Sequence, residues 1–176
     1  GVSFGGGQTA PGNLVHPKER ERLISRLKKC LAIIRIVGFQ SSALAAFAPK
    51  LYRYLARTLE ALFGKHVGLV HNFHNSIFPA ASFNCGPNTI SLDHTDYGNL
   101  SHGLCALTAL GSYDHVLGGH LILFDFNLIV QFPVRSTTLI PSGCVRHGNT
   151  PIQAGKTRMS IAQYAAGGLF RWVAYG

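Results

Sequence analysis

The chain has 176 residues, 47% of them apolar, with 20 glycines and a formal net charge of +9. That length suits one ordinary domain with a real core, and the apolar share excludes a disordered tail. No membrane span or signal peptide is visible: Asn72, Asn75, Pro79, Asn84 and Pro87 break the uncharged stretch from His66 to Leu92. The start at Gly1 rather than Met reads as a fragment.

In chain order, residues 1–16 read as an irregular lead-in with Gly5-Gly6-Gly7 and Pro11-Gly12. Pro17 suits the first turn of a helix, and Leu23, Ile24, Leu27 and Leu31 recur at helical spacing with Lys and Arg opposite. Residues 33–37 read as a short strand ended by Gly38, and Ser41-Ser42 as the cap of a short helix. Pro49 opens another helix, with Leu51, Tyr54, Leu55, Leu59 and Leu62 as its apolar stripe and Gly64 as its stop. Eleven of the sixteen basic residues lie in positions 1–65, against Glu19, Glu21 and Glu60. Such a segment beside a near-neutral remainder points to a polyanionic partner, nucleic acid first; a solvated helix surface is the plain alternative.

From His66 the texture changes to short apolar or alternating runs between Gly, Pro, Asn and Asp. The predicted strands are 76–83, 89–93, 104–110, 119–124, 127–132, 136–141, 144–147, 157–164 and 169–174. This spacing implies an antiparallel sandwich or jelly roll. The expected fold is α+β, mostly β: a double-stranded β-helix core over 66–176, with a basic, mainly helical part over 1–65 packed outside it, in one structural domain. Cys30, Cys85, Cys105 and Cys144 show no zinc spacing and read as reduced, mostly buried thiols of an intracellular protein.

Three side chains of the second half stand out: His94, Asp96 and His147. Residues two apart on a strand point the same way, so His94 and Asp96 can reach one ion, and His147 lies on a later strand. Two histidines and one carboxylate are the donors that hold non-haem Fe(II) and leave positions open for chemistry. Arg158, on the next predicted strand, offers a fork of donors that matches a carboxylate, and Ser160 faces the same side. Iron, an α-keto acid gripped at its far carboxylate and dioxygen are the implied partners. H-x-D alone is weak in a chain with nine histidines; a later histidine followed by a strand-borne R-x-S is much stronger. The alternative is a β-domain whose histidines are surface or satisfied core residues. His71 and His74 form a rival pair with no third ligand, His120 reads as a strand start, and His102 and His115 as loop residues.

These segments also carry a resemblance. His94-Thr-Asp-Tyr-Gly-Asn99 with Gly103-Leu-Cys-Ala-Leu-Thr108, Gly118-Gly-His-Leu-Ile-Leu123, His147-Gly-Asn-Thr-Pro151 and Thr157-Arg-Met-Ser-Ile-Ala-Gln-Tyr164 resemble the TET/JBP family of iron- and 2-oxoglutarate-dependent nucleobase dioxygenases. The match covers roughly residues 91–166, and the whole chain is similar to a group expanded in mushroom-forming fungi. The resemblance implies Fe(II), 2-oxoglutarate and O2 as cofactors, with His94, Asp96 and His147 as ligands and Arg158 as the 2-oxoglutarate anchor, helped by Ser160. It implies Asn99 as a hydrogen-bonding contact to a flipped base and Tyr164 as an aromatic stacked on it. Turn shaping for Asn99 and core packing for Tyr164 are the plain alternatives.

Two departures bear on specificity. Ala166 stands where many relatives place a base-contacting histidine, and four scattered cysteines cannot build the zinc-binding region of the animal enzymes. The expectation is a dioxygenase oxidising a methylated base in DNA: 5-methylcytosine first, N6-methyladenine or the thymine methyl as variants. DNA contact falls to the basic 18–57 segment and core loops, and nuclear placement follows from the DNA reading alone. A 2-oxoglutarate-dependent hydroxylase of a protein or small molecule, and a catalytically inactive binding fragment, are the rivals.

Overall fold

A computed structural model describes all 176 residues. Helix takes 33% of them and strand 24%, with antiparallel sheets. The class is therefore mixed α+β, with a smaller strand share than the mostly-β expectation. The chain divides into two compact units, Gly1–Ala81 with Gln163–Gly176, and Ser82–Ala162.

The first unit is mainly helical. The lead-in contains two short strands, β1 (Val2–Ser3) and β2 (Gly12–Asn13), paired antiparallel. Helix α1 (Lys18–Lys29) follows Pro17, with Glu19 and Glu21 in its first turn and Arg26, Lys28 and Lys29 in its last. Those charges complement the helix dipole, which accounts for part of the basic pattern. Extended Cys30 ends it, and the chain bends by 72° into α2 (Leu31–Phe47).

Helix α2 corrects the sequence reading. Residues 33–37 are helical, and Ser41-Ser42 lie inside α2 rather than capping a helix. A five-residue run, apolar except for Arg35, has too little length to separate strand from helix by period. Ser41 is buried and accepts the Ile77 backbone N–H at 3.0 Å. Helix α3 (Pro49–Lys65) opens at Pro49 as expected and buries Leu55, Leu59 and Leu62. Residues 169–174 are also not a strand but part of α4 (Gly167–Tyr175). Leu169 and Phe170 are both buried on this helix.

The core of this unit collects Val2, Val37, Leu44, Leu55, Leu62, Phe78 and Leu169. Burying each such side chain is worth about 1.5–3 kcal/mol. Gln163 is buried among them with its polar atoms satisfied: its amide donates to Val37 O (3.0 Å) and Gln40 Oε1 (2.8 Å), and its carbonyl accepts from Ser76 Oγ (2.7 Å).

The second unit holds two sheets. One runs in the order β3 (Ala80–Asn84), β9 (Thr157–Tyr164), β4 (Cys105–Ser112), β7 (Thr137–Ile140). The other runs β6 (Leu128–Val130), β5 (Leu121–Leu123), β8 (His147–Asn149). The β4–β7, β5–β6 and β5–β8 pairs are antiparallel. Of the predicted strands, 157–164 is found with the same bounds, 104–110 runs on to Ser112, and 119–124, 127–132 and 136–141 are shortened; 76–83 begins only at Ala80, and 144–147 is a turn that becomes strand only at His147. Gly111 (φ +117°) lets β4 lie against β9, since a Cβ there would meet Thr157 O at 2.3 Å.

Residues 89–93 form no regular strand. They belong to a connecting segment with one isolated bridge at each end, Asn88 to Arg158 on β9 and His94 to His147 on β8. Between them Asn149 substitutes for a ladder, its Oδ1 accepting Ser91 N–H at 2.8 Å and its own N–H donating to Ser91 O at 2.9 Å. The segment is thus stitched to both sheets. Of the cysteines only Cys105 is buried, while Cys30, Cys85 and Cys144 are exposed, against the expectation of mostly buried thiols.

Candidate metal centre

His94 and His147 exchange backbone hydrogen bonds in both directions, at 3.1 and 2.9 Å. That bridge sets the two imidazoles side by side, with ring centroids 4.4 Å apart. Asp96 completes the group: one donor atom from each of His94, Asp96 and His147 lies within 4.8 Å of the others. His147 is buried, while the His94 and Asp96 side chains are 40% and 36% exposed, so the cluster opens to solvent on one side.

The ring hydrogen bonds fit a metal. His94 Nδ1 lies 2.7 Å from Leu92 O, and His147 Nδ1 lies 2.9 Å from Val145 O. A carbonyl oxygen only accepts, so each Nδ1 carries the hydrogen and each Nε2 keeps a lone pair for a ligand. His94 Nε2 and Asp96 Oδ1 face each other at 3.5 Å. Two lone-pair atoms facing each other in this way can share a metal ion, and His147 supplies the third donor.

Gly148 shapes the site. A Cβ there would meet Ser91 O at 2.8 Å and Leu92 O at 3.1 Å, so only glycine lets the His94 segment lie along β8. One residue before each histidine, Asp93 and Arg146 form an ion pair in which Arg146 Nε and Nη2 both reach the Asp93 carboxylate. Arg146 also donates its backbone N–H to Asp125 Oδ2 at 2.7 Å, and its guanidinium stands 5.7 Å from the Phe124 ring centre.

Asn99 sits in the turn that follows Asp96. Its amide donates to Asp96 Oδ2 at 3.2 Å and to Ser142 Oγ at 3.1 Å. The exposed ring of Tyr97 lies between them in sequence.

Arg158 lies on β9, 3% exposed. Its Nη1 donates to Thr89 O at 3.1 Å, and its Nε is the one buried side-chain polar atom of the chain with no hydrogen-bond partner. No carboxylate forms an ion pair with it. Burial pushes its pKa down, and the Tyr113 phenol opposes that shift. Tyr113 in turn is pushed up by burial, with Arg158 pulling the other way, and it donates to Phe132 O at 2.6 Å. An arginine stays charged, and an unpaired buried charge costs several kcal/mol, roughly 3–5 when its partner is removed. An anion entering beside Nε would relieve that cost. Ser160, two residues along and also buried, accepts from Asn84 Nδ2 at 2.9 Å and retains its own hydroxyl hydrogen.

The remaining histidines form no metal group with acidic or thiol neighbours. His71 stacks on Phe63 with centroids 3.7 Å apart, and His120, just before β5, meets Thr150 Oγ1 at 3.3 Å. Tyr164 ends β9, half-buried. Thr89, Tyr113, Ser142, Asp93 and Arg146 were not picked out from sequence. Only the last two carried a signal, as opposite charges each one residue before a candidate ligand.

The fold is TET-like. The particular likeness is to NgTET1, solved in complex with 5mC DNA, which aligns over 96% of this chain with a TM-score of 0.71 at 18% identity. This chain spans 61% of that protein's length. A viral collagen prolyl hydroxylase from Paramecium Bursaria Chlorella virus-1, solved as a 2OG complex, overlaps 63% of this chain and 70% of its own at 10% identity, with a TM-score of 0.34 too low to build on. No family model matches the chain, and no curated protein matches it.

Proposed function

We propose that the chain is an Fe(II)- and 2-oxoglutarate-dependent dioxygenase that oxidises a methylated base in DNA, with 5-methylcytosine as the first candidate and N6-methyladenine or thymine as variants. The observation that carries this is the His94–Asp96–His147 group, with both Nε2 atoms freed by carbonyl-bound Nδ1 atoms. The partnerless Nε of buried Arg158 supports an anionic co-substrate. The likeness to NgTET1, whose solved complex contains 5mC DNA, supports the base and the jelly-roll description of the two sheets.

His94, Asp96 and His147 would hold the iron. Bound there with 2-oxoglutarate and O2, iron supplies oxidative decarboxylation of the acid to succinate and CO2, coupled to hydroxylation of a C–H bond. The protein contributes position and exclusion of water. Arg158, with its partnerless Nε, would hold the far carboxylate of the acid, and the Ser160 hydroxyl would add a donor. Asn99 would be the hydrogen-bonding contact to the base, and Tyr164 is the candidate base-stacking aromatic. The base must leave the duplex stack to be reached. The exposed basic faces of α1 and α3 supply sequence-independent attraction for phosphates.

The test is nucleoside mass spectrometry of methylated duplex DNA after incubation with the protein, Fe(II) and 2-oxoglutarate, with His147→Ala as control. Oxidised methylcytosine, or loss of methyladenine, in the wild-type sample alone supports the reading and names the base. Unchanged nucleosides from folded, iron-loaded protein would refute the assignment to DNA.

A further inference from the structure

Resting on the reading of His94, Asp96 and His147 as metal ligands, we infer that Asn99 is a positioning residue for Asp96. With Ser142 behind it, Asn99 leaves Asp96 a single oxygen, Oδ1, to offer the metal.

The Asp96 carboxylate has two oxygens with different surroundings. Oδ1 faces His94 Nε2 at 3.5 Å, on the metal side. Oδ2 accepts from Asn99 Nδ2 at 3.2 Å. The same amide nitrogen donates to Ser142 Oγ at 3.1 Å. A carboxylate oxygen accepts only, so the amide orientation is chemically fixed, and its two hydrogens serve these two acceptors.

Ser142 is nearly fully buried and also works through its backbone, accepting the Asp96 N–H at 2.8 Å. The Asn99 N–H closes the turn onto Asp96 O at 2.8 Å. Gly143 lets the serine's turn approach this closely, since a Cβ there would stand 3.3 Å from Asn99 O. Asp96 is therefore held at its N–H, its carbonyl and one carboxylate oxygen.

The chemistry of the metal gives this a purpose. A carboxylate with both oxygens free can bind one ion through one or both of them. Bidentate binding would take a coordination position that a chelating acid or dioxygen needs. An amide hydrogen on Oδ2 holds that oxygen away, as hydrogen bonds to ligating carboxylates do elsewhere. The role also constrains substrate contact. With both amide hydrogens committed, Asn99 can meet a substrate through its carbonyl oxygen alone, as an acceptor.

Co(II) titration of the full chain, followed by visible absorption with thermal unfolding alongside, tests the inference on Asn99→Ala, Ser142→Ala and the double variant. Asn99→Ala should weaken Co(II) binding about ten- to hundredfold and change the Co(II) absorption envelope, as a second Asp96 oxygen joins. Ser142→Ala should have a smaller effect in the same direction. The double variant should resemble Asn99→Ala, because Ser142 Oγ acts through Asn99. Wild-type affinity and spectrum in Asn99→Ala, or effects that simply add in the double variant, would overturn the inference. If Asn99→Ala fails to fold, Ser142→Ala decides: a wild-type spectrum and affinity there overturn it too. Failure of the metal-site reading looks different, since wild-type protein would then bind no Co(II), or bind it equally well as His147→Ala.

Discussion

Asp93 and Arg146 form an ion pair, and each stands one residue before a histidine of the candidate metal centre. The pair ties the two ligand-bearing segments together beside their backbone bridge. Both side chains are exposed, and exposed pairs contribute little even with two-point geometry. Arg146→Met and Asp93→Asn should therefore weaken Co(II) binding only a few-fold, and added salt should do the same to the wild type. Co(II) titration at low and high ionic strength checks this. Equal affinity in all cases would mean that the backbone bridge alone sets the spacing.

Arg158 is the residue whose removal should separate co-substrate binding from folding. Arg158→Met keeps much of the volume and removes an unpaired buried charge, so the ligand-free protein should unfold at the same temperature or higher. 2-Oxoglutarate with Mn(II) should raise the wild-type melting temperature, with little effect on the variant. The apparent affinity for the acid should fall about ten- to hundredfold, the worth of one or two charge-assisted hydrogen bonds. Normal saturation by 2-oxoglutarate in Arg158→Met would end the assignment.

Gly148→Ala forces a contact of 2.8 Å between its Cβ and Ser91 O. Overpacking of this kind costs roughly 1–3 kcal/mol. Because the displaced segment carries His94, metal affinity should fall together with stability. Urea unfolding and Co(II) titration on one sample read both. Loss of stability with metal affinity intact would show that the segment can shift without moving His94.

Replacing Arg26, Lys28 and Lys29 by Gln removes three charges from the last turn of α1 and the residues beside it. If that face meets phosphates, the slope of log affinity against log salt should shrink by about 2–3 in magnitude, close to 0.9 for each contact. Fluorescence anisotropy with duplex DNA across a salt series measures the slope. An unchanged slope would leave those charges to the helix dipole and solvent.

The cysteines offer a check on burial. Cys30, Cys85 and Cys144 are exposed, whereas burial pushes the Cys105 thiol up to about 12, with nearby Asp96 adding to the rise and Ser142 opposing it. At pH 8 three thiols should react with a maleimide in the folded protein, and a fourth only after denaturation. Four fast-reacting thiols would contradict the placement of Cys105 on β4.

What could be read in the sequence follows the reach of its patterns. Arg158 and Ser160, two apart on β9, obey the strand period and are buried on one side of it. His94 and Asp96 lie outside any regular strand, and the bridge to His147 and the hold of Ser142 O on the Asp96 N–H place them instead. Helices α1 and α3 had long stripes and Pro starts. The run at 33–37 and the tail at 169–174 were too short to show a period, and both proved helical. The hold of Ser142 on Asn99 spans 43 residues, and that of Arg158 on Thr89 spans 69. No local spacing encodes such partners, because the fold alone brings them together. The same holds for the partnerless Nε of Arg158, which exists only because everything around it is folded.

The segment from Asn88 to His94 touches Arg158 at one end and His147 at the other. In the proposed reading it works as a ruler. It fixes how far the anchor for one end of an acid stands from the ion that takes the other end. One residue more or less would slide these marks by about 3.3 Å, the rise of an extended chain, and would change which length of dicarboxylate the protein can measure.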